Sequence, residues 1–185
     1  LLQRYPERRM IVVDTLSISL PQSILVLKAH ELYRQGKTMD EVAAWLEENK
    51  SRSQAFFTVD DLTYLRRGGR ISAVAATVGT MLDLKPIITE GRNGKLLSTD
   101  KVRGRKQALR PLAELAAQNI DDPAEAEMYV LHADAPEDAD RLVQLLREKI
   151  PGLGNISTRY VGPVIGAHCG PGTVAVCFFG KERPY

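Results

Sequence analysis

The order of strand-like and helix-like segments limits the folds open to this chain more than any other feature of its sequence. Residues 10–13 form a short, apolar, β-branched run, as expected of a strand that is buried on both faces of a parallel sheet. Helices are predicted over residues 22–34 and, from a capping box, over residues 38–49, with another strand over residues 55–57. This strand–helix–helix–strand order predicts the remainder of a parallel-sheet α/β domain over residues 1–57.

A different pattern follows residue 57. A short helix, with Thr58 as its cap, is predicted to precede an Ala-rich apolar segment, and Asn93-Gly94 then marks a hairpin between two strands. Amphipathic helices alternate with three further strands after the hairpin. In chain order, these predicted elements cover residues 58–65 (helix), 71–84 (apolar segment), 86–89 and 95–102 (hairpin), 104–119 (helix), 127–132 (strand), 136–149 (helix), 156–161 (strand) and 173–179 (strand). They predict a mixed α+β two-layer domain over residues 58–185.

The composition is ordinary for a globular protein and points to no class of partner. The formal net charge is only +2 over 185 residues. Two cysteines suit a reducing compartment, so we expect a cytoplasmic protein, and no apolar run approaches the roughly 20 residues needed to cross a bilayer. Residues 1–6 lack the apolar core of a signal peptide and read like the last turn of a helix that Pro6 stops. We therefore expect that part of a larger protein is absent from this chain.

The segment over residues 162–173 is the most informative for function. Four glycines and two prolines in twelve residues fix an unusual backbone path, predicted to be a turn between two strands, with His168 in its middle. Such a path is useful where one side chain must be aimed at a ligand. The alternative is a tight turn in which His168 only caps a backbone carbonyl, and the residues alone leave both interpretations open.

Several other chemistries are disfavoured at this segment. A phosphate-binding loop needs a lysine before its Ser/Thr and a helix after it, whereas Gly172 precedes Thr173 and a strand is predicted to follow. His168 and Cys169 are sequence neighbours, which seldom form a hydrogen-bonded nucleophile pair. The histidines lack metal-ligand spacing, and Cys177 lies in an apolar strand, where a packed core thiol is expected.

Polar residues follow the first predicted strand. Asp14, Ser17 and Ser19 come after residues 10–13, and in open α/β sheets such positions face the crevice where ligands bind. They are equally typical of the cap of the next helix. We keep Ser17 and Ser19 as candidate crevice residues.

Basic residues cluster over residues 66–70 and over residues 101–106. Such clusters bind nucleic acids, carboxylates or acidic proteins, or simply form a solvated surface. Only Tyr64 offers an aromatic ring nearby for stacking bases, so nucleic-acid binding is disfavoured. Three hypotheses stand on the residues: a ligand-binding protein, a His168-dependent hydrolase or phosphotransferase, and a docking module that uses the arginines.

Four stretches together resemble the DegV family. They are Val12-Val13-Asp14-Thr15-Leu16-Ser17-Ile18-Ser19-Leu20, the run from Thr58 to Ser72 that contains Arg66-Arg67-Gly68-Gly69-Arg70, Lys101-Val102-Arg103-Gly104-Arg105-Lys106, and Gly162-Pro163-Val164-Ile165-Gly166-Ala167-His168 with Gly170-Pro171-Gly172-Thr173. The resemblance implies a DegV-like fold of two α/β domains, with residues 58–185 closing a lipid pocket. It implies a non-catalytic protein that binds one long-chain fatty acid, such as palmitate, stearate or oleate, without a cofactor.

In some bacteria the family supplies the carrier subunit of a fatty acid kinase, a role in phospholipid metabolism. The resemblance therefore implies a fatty acid kinase catalytic subunit as partner, with no nucleic acid, no membrane span, and only transient membrane contact. By the same resemblance, His168 and, with less support, Arg70 match residues near the carboxylate. An apolar wall for the acyl chain is expected from Ile71, Val78, Met81, Leu82, Val164 and Ile165; ordinary core packing is the competing interpretation for the first four.

Overall fold

A computed structural model describes residues 3–72 and 83–185 of the chain. The described residues form six α-helices and six β-strands. In chain order these are α1 (Ser19–Arg34), α2 (Met39–Asn49), β1 (Ser53–Thr58), α3 (Leu62–Arg67), β2 (Leu84–Glu90), β3 (Leu96–Arg103), α4 (Arg105–Asn119), β4 (Glu127–His132), α5 (Pro136–Lys149), β5 (Asn155–Tyr160), α6 (Pro163–Cys169) and β6 (Val174–Phe179).

The strands form one mixed sheet in the order β3-β2-β1-β6-β4-β5. β1 lies near the centre and pairs antiparallel with both β2 and β6. β4 pairs antiparallel with β6 and parallel with β5. β2 and β3 form the predicted hairpin, in which Gly94 has a φ of 74°, a left-handed conformation that glycine adopts without steric cost.

Helices cover both faces of the sheet, and each face has its own apolar core. α4 and α5 pack on one face, where they bury Leu109, Leu112 and Leu142 against strand residues such as Phe56. The opposite face packs against α1, α3 and α6. Its core is smaller, and it includes the following buried residues: Ile24, Ala55, Phe57, Val59, Leu65, Ile88, Leu131, Cys169, Ala175 and Cys177. Neighbouring residues of β1 therefore point to different cores, as the two-residue period of a strand requires.

Most predicted elements are confirmed, and so is the mixed α/β fold class. The capping box at the start of α2 forms as predicted: the Glu41 amide donates to Thr38 Oγ1, and the Thr38 amide donates to the Glu41 carboxylate at 2.8 Å. The division into domains over residues 1–57 and 58–185 stays a prediction, although β1 joins the same sheet as the strands that follow residue 58.

The predicted strand over residues 10–13 is wrong. These residues form no strand, and Val12 is 90% exposed. A strand needs a neighbour to receive its backbone hydrogen bonds, and none of the described residues pairs with this run. Without that partner, the apolar pattern alone does not hold the segment in a sheet.

Thr58 and the segment over residues 162–173 also differ from prediction. Thr58 does not cap a helix but ends β1, while the next helix begins at Leu62 with Asp61 as its cap, because the Thr63 amide donates to Asp61 Oδ1 at 2.8 Å. The segment over residues 162–173 is not a simple turn, since Pro163–Cys169 is a short helix. Proline at the first position of a helix has the required φ and gives up an amide that would have no partner there.

Candidate functional site

A cavity of about 670 Å³ opens beside α3 and α6, next to the turn between β2 and β3. We call it the outer cavity. Its polar or charged lining comes from Arg70, Ser72, Glu90, Lys95 and His168. Its apolar lining includes Ile18, Leu65, Leu96, Val164 and Ile165. The outer cavity therefore combines basic side chains, one carboxylate that is paired with Arg183, and an apolar wall.

A narrower space of about 50 Å³ adjoins it over the same face of the sheet. We call it the inner cavity. Five residues line both spaces: Ile18, Glu90, Leu96, Ile165 and Cys169. The inner cavity is bordered by small side chains of the two central strands, where Ala55 pairs with Cys177 and Phe57 pairs with Ala175. The small side chains of Ala55, Ala175 and Cys177 leave room that larger side chains would fill.

The last turn of α6 positions His168. Gly170 follows the helix with a φ of 80° and a ψ of 170°, a backbone conformation that is essentially confined to glycine. The Thr173 hydroxyl lies 2.8 Å from the Gly170 carbonyl and 3.1 Å from the Cys169 carbonyl, so its one proton is shared between two carbonyls at this helix end. These contacts hold the end of α6 that carries the imidazole.

The imidazole of His168 packs closely against the backbone of α3. A Cβ atom built on Gly68 would lie only 2.2 Å from His168 Nδ1. The Nδ1 atom is buried and has no hydrogen-bond partner within residues 3–72 and 83–185. An unpaired buried N–H would be costly, so the proton is expected on Nε2, at the other edge of the ring. That nitrogen would then be a hydrogen-bond donor.

The predicted carboxylate residues, His168 and Arg70, line the same cavity, as do Val164 and Ile165 from the predicted apolar wall. Ile71 is half-buried and packs against the smaller core. Val78, Met81 and Leu82 lie outside the described residues. The roles given to all of these residues stay predictions.

Neither of the two predicted crevice serines lines the outer cavity with His168. Ser19 lines the inner cavity, whereas the Ser17 hydroxyl bonds with Glu90 at 3.2 Å. Glu90 also forms a buried ion pair with Arg183. Sequence reasoning missed both charged residues, and the one available signal was a lone carboxylate at the end of an apolar strand.

The cysteines of the site are poor nucleophiles. Burial raises the pKa of Cys169 to about 11 and raises that of Cys177 still further. Both thiols are therefore protonated at neutral pH, which disfavours a cysteine hydrolase. Over the described part of the chain, no group of three or more His, Cys, Asp or Glu side chains is arranged to hold a metal ion.

Within residues 3–72 and 83–185, no helix combines the length and the apolar character needed to cross a bilayer.

Comparison with known proteins identifies the family. A family model described as "uncharacterised protein, DegV family" matches residues 2–181. A DegV domain-containing protein of Clostridium perfringens is 41% identical over 183 residues, which are 99% of this chain and 62% of that protein. The chain thus spans less than two thirds of the length of this relative.

Solved structures agree with this comparison. The crystal structure of a fatty acid binding DegV family protein from Streptococcus agalactiae is 29% identical and superposes with a TM-score of 0.84, covering 98% of this chain and 63% of that one. A DegV family protein from Thermus thermophilus, whose structure is described as showing fatty acid binding, is 31% identical with a TM-score of 0.82, covering 96% and 63%. With a family model that matches residues 2–181 and a relative that is 41% identical over 99% of this chain, the chain belongs to the DegV family.

Proposed function

We propose that this protein binds a single long-chain fatty acid, with its carboxylate beside His168 and Arg70 and its acyl chain directed along the outer cavity toward the inner one. The observation that carries the proposal is the position of His168 beside the apolar side chains of Val164 and Ile165 in the cavity lining, with Nδ1 buried and unpaired among the described residues. The nitrogen left for a ligand is then a donor, which is what a carboxylate requires.

The acyl chain and the carboxylate of a fatty acid have different energetic requirements, which the apolar wall and the basic side chains of the outer cavity meet. Burial of an acyl chain is favourable by roughly 0.8 kcal/mol per methylene. A carboxylate left dry and unpaired would offset that gain, so it must meet donors or a cation. The exposed guanidinium of Arg70 at the rim supplies the charge. The fatty-acid-binding relatives from Streptococcus agalactiae and Thermus thermophilus support this choice of ligand.

Native mass spectrometry after expression in bacteria tests fatty acid binding. We expect a co-purified species of fatty acid mass and, after delipidation, uptake of palmitate, stearate or oleate. His168→Phe keeps a ring but removes the donor, so retention should fall. His30→Phe is the matched control, because His30 is exposed on α1. A protein that neither carries nor takes up any of the three acids would overturn the proposal.

We also propose that the protein is a non-catalytic carrier that presents the carboxylate to a fatty acid kinase subunit in the bacterial cytoplasm. Arg66 and Arg67 are exposed on the short helix whose next residues, Gly69 and Arg70, line the outer cavity. An acidic surface of a kinase docked there would lie beside the head group.

Charge reversal at this surface tests the carrier role. Arg66→Glu with Arg67→Glu should weaken association with the kinase subunit and slow acyl phosphate formation, without loss of bound fatty acid. Arg147→Glu, an exposed change on α5, is the control. Equal rates of acyl phosphate formation for the double variant and the Arg147→Glu control would contradict the proposed docking surface.

A further inference from the structure

Three close contacts join the segment around α3 to the last turn of α6 and the residues that follow it. Each contact places a side chain against a glycine, at a distance that excludes any Cβ atom. A Cβ on Gly68 would lie 2.2 Å from His168 Nδ1, one on Gly170 would lie 2.3 Å from Tyr64 Cδ2, and one on Gly172 would lie 2.6 Å from the Cβ of Asp60. Real Cβ atoms do not approach other heavy atoms so closely, so the contacts depend on glycine.

These contacts explain why glycine occurs in two separate motifs, over residues 66–70 and over residues 162–173. Tyr64 and Gly68 are four positions apart, on one side of α3 and its C-terminal end, whereas Asp60 precedes the helix and its cap residue, Asp61. Positions 172, 170 and 168 meet them in reverse order at intervals of two. The two motifs, far apart in sequence, therefore form one interlocked unit.

Gly68 and Gly69, which follow α3, are each required for a different structural reason. Gly69 has a φ of 71° and ends the helix in a Schellman motif, in which its amide donates to the Arg66 carbonyl and the Arg70 amide donates to the Leu65 carbonyl. Gly68 has an ordinary φ of −76°, so its glycine is needed for space alone. The same helix end thus places Gly68 under the imidazole and Arg70 at the cavity rim.

We propose that Gly68 and Tyr64 are positioning residues for His168, holding the imidazole toward the outer cavity through the interlocked unit. The Nδ1 edge of the His168 ring packs against Gly68. Tyr64 packs on Gly170, two residues after His168, and so fixes the backbone there. Arg66 and Arg67 are exposed on the same short helix. A displacement of α3 by a partner bound to these arginines therefore moves the imidazole as well.

Glycine substitution tests the contact with a matched control in α6. Gly68→Ala forces the ring away, whereas Gly166→Ala adds a Cβ with nothing within 4 Å. In the ligand-free protein, we expect the His168 ring ¹H–¹³C signals to shift in Gly68→Ala but not in Gly166→Ala. If the proposed fatty acid function holds, palmitate affinity should also fall by about tenfold or more in Gly68→Ala, the loss of one hydrogen bond to a charged group.

A second pair of variants keeps the test valid if Gly68→Ala fails to fold. Tyr64→Phe retains the ring on Gly170 and should match the parent protein, whereas Tyr64→Ala should shift the His168 signals. Unshifted signals in both Gly68→Ala and Tyr64→Ala, or in Tyr64→Ala alone if the other is unfolded, would overturn the inference even where palmitate binds. Failure of the parent protein to bind palmitate would overturn the proposed function only, since the ring signals are recorded without ligand.

Discussion

The Glu90 carboxylate and the Arg183 guanidinium form an ion pair, 3.1 Å apart, that is shielded almost completely from water, at 3% and 1% side-chain exposure. Arg183 also donates to the Leu16 carbonyl at 2.7 Å and contacts the Ser17 hydroxyl. The Ile18 amide donates to the Glu90 carboxylate at 3.0 Å. The pair thus ties the segment before α1 to the sheet, beside both cavities.

Burial opposes both charges of this pair. It raises the pKa of Glu90, an effect that the charge of Arg183 partly offsets, and it lowers the pKa of Arg183. Such a pair adds little net stability relative to apolar residues, but removing one partner leaves a buried charge unpaired. We expect Arg183→Met to lower the free energy of unfolding by about 3–5 kcal/mol, as measured by urea denaturation at pH 7.

The control for this prediction is Arg147→Met, a change at an exposed position of α5 that should stay within about 0.5 kcal/mol of the parent protein. The double variant Glu90→Leu with Arg183→Met should recover part of the loss, because it leaves no unpaired charge. Equal stability of Arg183→Met and Arg147→Met would contradict a structural role for the pair.

The thiol of Cys169 offers a probe of the cavities. Its pKa of about 11, against an ordinary value of 9.0, follows from burial. Below pH 9 its thiolate fraction is therefore about 100-fold smaller than that of a free thiol. We expect N-ethylmaleimide to label Cys169 correspondingly slowly, faster as the pH rises toward 11, and more slowly again with palmitate present. Labelling followed by mass spectrometry measures this, with Cys169→Ser to identify the site; labelling as fast as that of free cysteine would contradict it.

The small side chains under the inner cavity set its depth. Ala175→Leu adds three carbons where only about 50 Å³ is open. If an acyl chain occupies this space, the variant should lose affinity for stearate more than for shorter saturated acids, measured by displacement of a fluorescent fatty acid. Ala44→Leu, on the exposed face of α2, is the control. An unchanged order of affinities among chain lengths would place the acyl chain elsewhere.

Much of the fold was predictable because its signals are local. The Asn93-Gly94 dipeptide fixes the hairpin, and the Thr38 and Glu41 pair fixes the start of α2. Pro136 begins α5 at the predicted residue. His168, Arg70, Val164 and Ile165 were also identified from their motifs, and the structure brings all four to one cavity.

The remaining features depend on residues far apart in sequence. Residues 10–13 have the composition of a buried strand, but a strand also needs a partner, which no local pattern reveals. Glu90 and Arg183 pair across 93 positions, and a lone carboxylate at the end of an apolar strand does not reveal its partner. The motif glycines could be recognised in the sequence, but the contact between Gly68 and His168 could not. Steric fit between distant segments is a property of the packed structure.

The capping box of α2 predicts a specific acid sensitivity. The Thr38 amide, followed by Lys37, holds the pKa of Glu41 at about 2, below its ordinary 4.5. Because the folded-state pKa is depressed, the stabilisation by the Glu41 carboxylate is complete above about pH 4.5 and is lost as the pH falls toward 2. We expect Glu41→Ala to lower the Tm at pH 7, and the gap from the parent protein to close as the pH falls through this window. Glu48→Ala, at an exposed position of the same helix, should show no such closing gap, and a gap for Glu41→Ala that persists unchanged at pH 2 would exclude the charged form as its source.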